Sequence, residues 1–225
     1  MLKIAHRGAS GRYPENTIKA FKAALEYNVD MIELDVHLCR SGEVIVIHDE
    51  TLTRTIGIEG RIEDFNLDEV KNFCTKEGEH IPTLKETIDF IDKRCAILIE
   101  IKRESMALPV YEIVKYYIEN EGYKYDQLII GSFLVSELEN LRKFDNDLVL
   151  AYICIEPPFL NNKTLDNIKP SYINPHYEHI TEGFIKEIHC LRLKSLAWTV
   201  NNEEDIERLK KMKIDGIITD YPEKI

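Results

Sequence analysis

Between Met31 and Leu38 the chain alternates strictly. Ile32, Leu34, Val36 and Leu38 occupy one phase, and Glu33, Asp35 and His37 the other. Successive strand residues face opposite sides, so the pattern predicts a strand carrying two neighbouring carboxylates on one face. The β-branched run Val44–Ile47 predicts a second strand, buried on both faces, and Ser41-Gly42 is the turn between them. That second run stops at His48-Asp49. Taken alone, Glu33 and Asp35 fit a solvated strand face.

Elsewhere the pattern switches between short apolar runs and helical spacing. Leu2–Ala5 reads as a first strand, ending at His6-Arg7-Gly8. Pro14 is expected to open a helix whose buried stripe is Ile18, Phe21 and Leu25. Thr51–His80 breaks the rhythm as a small insertion rich in charge, with at most a short helix at Leu67–Phe73 and a loose polar stretch at Cys74–His80. Leu84, Ile88 and Ile91 mark the next helix, with Thr83 as N-cap and Glu86 completing a capping box. Strands then follow at Ala96–Ile101, Leu128–Phe133, Leu148–Cys154, Ser171–Asn174, Ser195–Val200 and Gly216–Thr219. The intervening helices are expected at Pro109–Glu121, Glu137–Phe144, Asn162–Ile168, Thr181–His189 and Asn202–Met212.

With Val44–Ile47 set aside, eight strands alternate with helices. That rhythm implies a parallel sheet with crossover connections. Eight such units match the ~250 residues of a (β/α)8 TIM barrel, here one domain over 1–225 with an insertion at 51–80 after the second-strand hairpin. An open doubly wound sheet is the runner-up, but neither GxGxxG nor GxxxxGK[ST] follows the first strand. Glu223–Ile225 is too short for a closing helix. The bared barrel wall raises the expectation of a homodimer.

Composition narrows the function. A formal charge of -11 over 225 residues disfavours nucleic acid and anionic membrane surfaces as partners. Any phosphate must therefore meet locally concentrated positive charge. Five scattered cysteines without a CxxC point to a reduced, cytoplasmic chain with no zinc site. No secretory h-region opens the sequence and no apolar run approaches the ~20 residues of a membrane span.

The polar residues cluster where strands end: His6-Arg7, Glu33 and Asp35, His48, Glu100 and Lys102, then Ser132, Asn174, Trp198 and Asp220. In a barrel those ends share one face, where active sites are built. The recurrence turns the carboxylate pair from a surface feature into a candidate site.

These residues resemble the glycerophosphodiester phosphodiesterase family. The matching stretches are HRGAS (His6–Ser10), PENT (Pro14–Thr17), IELDV (Ile32–Val36), VIHDETLTRT (Val46–Thr55), IPTL (Ile81–Leu84), EIK (Glu100–Lys102), GSF (Gly131–Phe133), WTVN (Trp198–Asn201) and DGIITDYP (Asp215–Pro222). They run in family order through nearly the whole chain. The resemblance implies a TIM barrel that hydrolyses glycerophosphodiesters, such as glycerophosphocholine or glycerophosphoethanolamine, to sn-glycerol 3-phosphate and an alcohol. It implies one divalent cation, Mg²⁺ or Ca²⁺, on Glu33, Asp35 and Glu100, whose hard oxygen donors suit those ions. By the same resemblance His6 and His48 are the acid–base pair, and Arg7 and Lys102 bind the phosphate oxygens. Phe133 and Trp198 are expected to line the glycerol pocket, with Tyr177 a weaker candidate. Glu15 and Asp49 are expected to hold loops, Asp220 to be structural at the end of the last strand, His37 to stand outside the site, and His80, His176, His179 and His189 to lie on surface or loops. The chain departs from the family in IEPPFLNNKT (Ile155–Thr164) and at Asn174-Pro175, where many relatives carry a histidine.

Two other readings stand beside this one. A lysophospholipid phosphodiesterase of the lysophospholipase D or sphingomyelinase D kind needs an apolar acyl groove, and the loops here are polar. A degenerate barrel kept as a binding module predicts loss of a key residue, and all are present.

Overall fold

The computed structural model describes residues 1–158 and 163–225. Eight parallel strands close on themselves: β1 (Leu2–His6), β2 (Met31–Leu38), β4 (Ala96–Ile101), β5 (Leu128–Ser132), β6 (Leu150–Cys154), β7 (Tyr172–Pro175), β8 (Lys194–Ala197) and β9 (Gly216–Thr219). β1 pairs with both β2 and β9, so the sheet has no free edge within the barrel. That closure excludes the open doubly wound sheet. The ninth strand, β3 (Val44–Val46), lies antiparallel on the outer end of β2, with Val36 opposite Val46.

The helices are α1 (Ile18–Glu26), α2 (Leu67–Val70), α3 (Leu84–Ile91), α4 (Ala107–Asn120), α5 (Val135–Phe144), α6 (Lys163–Ile168), α7 (Glu182–Cys190) and α8 (Glu203–Lys211). Several begin where side-chain chemistry tells them to. Thr17, Thr83, Thr181 and Asn202 each accept a first-turn amide, and Glu86 completes the Thr83 capping box. Pro14 does not open α1: residues 7–16 form a long loop, and the helix starts four residues later, with the Thr17 hydroxyl donating to the Pro14 carbonyl. Asn162, the expected start of α6, lies outside the described residues.

The strand alternation divides the core into two layers. Ile32, Leu34, Val36, Ile97, Ile99 and Ile130 face outward and pack on helix residues such as Phe21, Leu84, Val110 and Leu141. The other phase fills the barrel: Ile4, Met31, Leu98, Ile129, Ala151, Tyr172, Leu196 and Ile218 contribute one inward residue from each strand. Two positions further along each strand stand His6, Glu33, Glu100, Gly131, Ile153, Asn174, Trp198 and Asp220. One pleat repeat thus carries the interior from an apolar floor to a largely polar upper tier.

The segment after β3 is ordered around its own apolar cluster of Cys39, Ile45, Ile47, Leu52, Ile62, Val70 and Ile81. Cys74–His80, expected to be loose, closes as a small antiparallel bridge with the Thr75 amide donating to the Glu79 carbonyl at 2.8 Å. No α-helix follows β9 among the described residues. A short 3-10 turn (Pro222–Lys224) ends the chain. All five cysteines are free.

Candidate active site

The first layer of the site is set by the turn after β1. Arg7 (φ 54°) and Gly8 (φ 81°) both take left-handed backbone, which aims the Arg7 amide at Glu33 Oε2, 2.9 Å away. Gly8 cannot be replaced without movement, because a Cβ there would lie 2.7 Å from the Ala20 carbonyl carbon. The Arg7 guanidinium reaches Asp35 Oδ2 at 3.1 Å and Glu15 Oε1 at 3.0 Å. Asn16, also left-handed at φ 57°, donates its amide to Asp35 Oδ2 at 2.9 Å.

Glu33, Asp35 and Glu100 converge as expected. Glu33 and Asp35 are successive inward positions of β2, and the barrel register sets Asp35 opposite Glu100 on β4. One carboxylate oxygen of each lies within 4.8 Å of the others. Glu33 is 3% and Asp35 1% exposed, so the solvated-face reading of this pair is overturned. Burying three acids together is costly unless a cation joins them. Lys102 supplies part of that charge, its ammonium 2.7 Å from Glu100 Oε1 and 3.3 Å from Asp35 Oδ1. Glu33 Oε1 nevertheless has no hydrogen-bond partner. Burial, with Asp35 beside it, pushes the Glu33 carboxyl well above the usual range. Burial pushes Asp35 up too, but Arg7 and Lys102 outweigh it and hold that carboxyl low. An unpartnered oxygen inside a set of hard donors fits a divalent cation held by these three residues.

Each candidate histidine is braced by a carboxylate at Nδ1. His6 Nδ1 lies 2.6 Å from Asp220 Oδ1, leaving Nε2 toward Glu33 Oε2 at 4.0 Å. Asp220, a structural residue at the end of the last strand, is itself held by Ser10 and Asn201 and so fixes the His6 ring. His48 Nδ1 lies 2.6 Å from Asp49 Oδ1. His37, expected to stand outside the site, sits directly behind His48 and donates from Nε2 to its carbonyl at 2.9 Å. Burial lowers the His6 pKa, but the bond to Asp220 and the charge of Glu33 more than reverse this. For His48 burial leads, the charges of Arg7 and Lys102 add to it, and the pKa falls.

The far side of the mouth is neutral. Trp198 and Phe133 meet edge to face with centroids 5.4 Å apart, and Trp198 Nε1 donates to the Asn174 carbonyl at 2.7 Å. His6, Glu33, Glu100, Asn174 and Trp198 line one cavity. The His176 ring packs 5.1 Å from Trp198, placing it nearer the mouth than a surface residue, whereas His80, His179 and His189 are exposed. Tyr177 is half-buried beside His176. Asn16, His37 and Arg54 were not assigned to the site from sequence. The PENT and TLTRT stretches contain two of them, but only the contacts give them roles.

Residues 6–224 match the Glycerophosphoryl diester phosphodiesterase family. The chain is 39% identical to a glycerophosphodiester phosphodiesterase of Caldanaerobacter subterraneus subsp. tengcongensis, over 100% of this chain and 96% of that protein. Its structure is similar to that of an Oleispira antarctica phosphodiesterase in complex with the product sn-glycerol-3-phosphate, with a TM-score of 0.90 and 27% identity, covering 99% of this chain and 94% of the other. It is also similar to a glycerophosphodiester phosphodiesterase from Thermotoga maritima, with a TM-score of 0.79 and 27% identity over 100% and 96% of the two chains.

Proposed function

Since the chain belongs to the glycerophosphoryl diester phosphodiesterase family, we propose that it hydrolyses glycerophosphodiesters to sn-glycerol 3-phosphate and an alcohol, with His6 and His48 as the acid–base pair. The observation that carries this reading is the flanking of one buried three-carboxylate cluster by two carboxylate-braced histidines, all at one barrel mouth.

Glu33, Asp35 and Glu100 would hold Mg²⁺ or Ca²⁺. That ion, when bound, supplies a Lewis acid that polarises the phosphoryl group and offsets its charge. Arg7 and Lys102 stand on the same rim and orient the non-bridging oxygens, the first as a planar fork and the second as a point charge. One histidine takes a proton from the attacking hydroxyl as its oxygen bonds to phosphorus. The other gives a proton to the leaving alkoxide as the opposite P–O bond breaks. Water as the attacker gives sn-glycerol 3-phosphate directly, whereas the substrate's own glycerol hydroxyl gives a cyclic phosphate that water opens in a second step with the histidine roles exchanged. With Asp220 and Asp49 accepting at Nδ1, each imidazole keeps Nε2 for proton transfer. Trp198 and Phe133 form the apolar wall against which the glycerol carbons pack.

The test is release of sn-glycerol 3-phosphate from glycerophosphocholine and glycerophosphoethanolamine, with EDTA and then with Mg²⁺ or Ca²⁺ restored. Metal-dependent release supports the reading. Release unaffected by EDTA removes the cation from it, and no release with either ion moves the activity to lysophospholipids.

A further inference from the structure

Arg54 lies just beyond the His48-Asp49 end of the β2–β3 hairpin, on the segment that follows β3, and 49% of its side chain is exposed. Its guanidinium nevertheless bonds in two directions. Nε donates to Asp49 Oδ2, whose other oxygen holds His48 Nδ1. The two terminal nitrogens donate to both oxygens of Glu15, at 2.9 and 2.7 Å, and Glu15 Oε1 also accepts from the Arg7 guanidinium at 3.0 Å. An unbroken series of charged hydrogen bonds therefore runs from His48 through Asp49, Arg54 and Glu15 to Arg7. It crosses between the segment after β3 and the loop after β1.

We propose that Arg54 is a positioning residue for the hydrolysis, fixing Asp49 against His48 and Glu15 against Arg7 so that proton transfer and phosphate binding are set in one frame. This rests on the roles proposed above for His48 and Arg7. His48 and Asp49 are sequence neighbours at the bend that follows β3, so no regular strand geometry holds one side chain on the other. The Asp49 carboxylate thus needs an outside hold to stay on the adjacent imidazole, and Arg54 Nε is that hold. Glu15 faces the converse problem. It is bonded to Arg7, which also serves Asp35, and a carboxylate free to swing would draw the guanidinium off the rim. Two parallel bonds from Arg54 fix both oxygens of Glu15. Only a planar fork can serve one carboxylate with two nitrogens and another with the third; an ammonium cannot.

The test uses the full chain and the variants Arg54→Met, Arg54→Lys, Asp49→Asn and His48→Gln. Turnover of glycerophosphocholine at saturating Mg²⁺ is read beside the ¹⁵N imidazole resonances of His48 in metal-free protein. In the parent, His48 is expected as the Nδ1-protonated tautomer. Arg54→Met should lower kcat by about 10–100-fold, the usual effect of removing a group that orients a functional side chain. It should also shift the His48 resonances toward a tautomer mixture while the thermal midpoint holds. Arg54→Lys should fail to restore either signal, and Arg54→Met should add little to Asp49→Asn. Unchanged kcat, or a kcat loss with the His48 resonances unmoved, overturns the proposal. Full turnover by His48→Gln overturns the acid–base reading instead, and the resonances then decide on their own whether Arg54 holds the ring.

Discussion

The two sides of the barrel mouth are built from the same pleat repeat yet differ in kind. Around β1, β2 and β4 the upper tier is His6, Glu33, Asp35, Glu100 and Lys102, and every one of these has a charged neighbour. Around β5 to β8 the positions matching His6, Glu33 and Glu100 are Gly131, Ile153, Asn174 and Trp198, and none carries a charge. Below both sides the floor is uniformly apolar. A chain with a formal charge of -11 thus concentrates two cationic side chains, Arg7 and Lys102, on one side of one opening. They are held there by the acids they neutralise. The charged side has what phosphoryl chemistry requires, and the neutral side offers the carbon and ring surface suited to an uncharged polyol.

If the division is real, damage to the charged side should stop chemistry and spare folding. His6→Ala and His48→Ala should each lower kcat by about 10²–10⁴-fold, the range of general acid–base assistance. Circular dichroism and thermal midpoint should stay near the parent values. Parent-like turnover in either variant would remove that histidine from the acid–base pair.

The acids should respond in a different currency, affinity for the cation. Glu33→Gln or Glu100→Gln removes a candidate ligand, so affinity for Mg²⁺ or Ca²⁺, read by calorimetry, should fall by at least about tenfold, the lower bound seen even for groups that only support ligands. Unchanged affinity would move the ion elsewhere. The pH dependence has a definite sign. Burial beside Asp35 raises the Glu33 pKa, so the metal-free protein keeps a proton there to higher pH than a free glutamate would. Cation binding must displace that proton, and affinity should therefore rise with pH, with proton release visible as a buffer-dependent heat. Glu33→Gln should reduce that release, leaving the part that comes from Glu100, whose carboxyl is also raised by burial and by Asp35. Lys102→Met should act the other way on the ion. Its ammonium contacts Glu100 and Asp35, so its loss leaves those carboxylates less neutralised and cation affinity should hold or rise, while KM for substrate increases. A fall in cation affinity with unchanged KM would make Lys102 a structural neighbour of the ion and not a phosphate ligand.

How much of this was legible in the sequence depended on range. The barrel was legible because each unit repeats local signals: alternation in the strand, an N-cap such as Thr83 or Asn202, then apolar helical spacing. The strand-end clustering of His6, Glu33 and Glu100 was legible for the same reason. Alternation alone could not say whether Glu33 and Asp35 faced water or the barrel interior, since the period is identical either way. Only recurrence across strands decided it. Pro14 misled because a residue suited to a helix start also suits the loop that carries Arg7, Glu15 and Asn16. The bracing residues were out of reach for a plainer reason. Asp220 meets His6 across 214 positions and Arg54 meets Glu15 across 39, and no pattern within one element reports such a contact. Along its strand His37 stands near the turn, away from Glu33, whereas the hairpin folds the His48 carbonyl back onto it.

The neutral side should yield the smallest effect, and one of a different shape. Trp198 packs edge to face on Phe133, and such ring pairs are worth about 0.5–1.5 kcal/mol beyond their buried area. Trp198→Ala also frees the Asn174 carbonyl from its indole N–H, so the gentler probe of the wall is Phe133→Ala, at a residue already 39% exposed. Phe133→Ala should raise KM for glycerophosphocholine by about 4-fold, the loss of burying roughly one CH₂ at ~0.8 kcal/mol, and leave kcat and cation affinity near the parent. Binding lost without chemistry lost is what a wall that only packs the glycerol carbons must show. A kcat loss comparable to that of His6→Ala would mean that the aromatic side shapes the reacting geometry itself, and the division of the mouth into a chemical half and a binding half would fail.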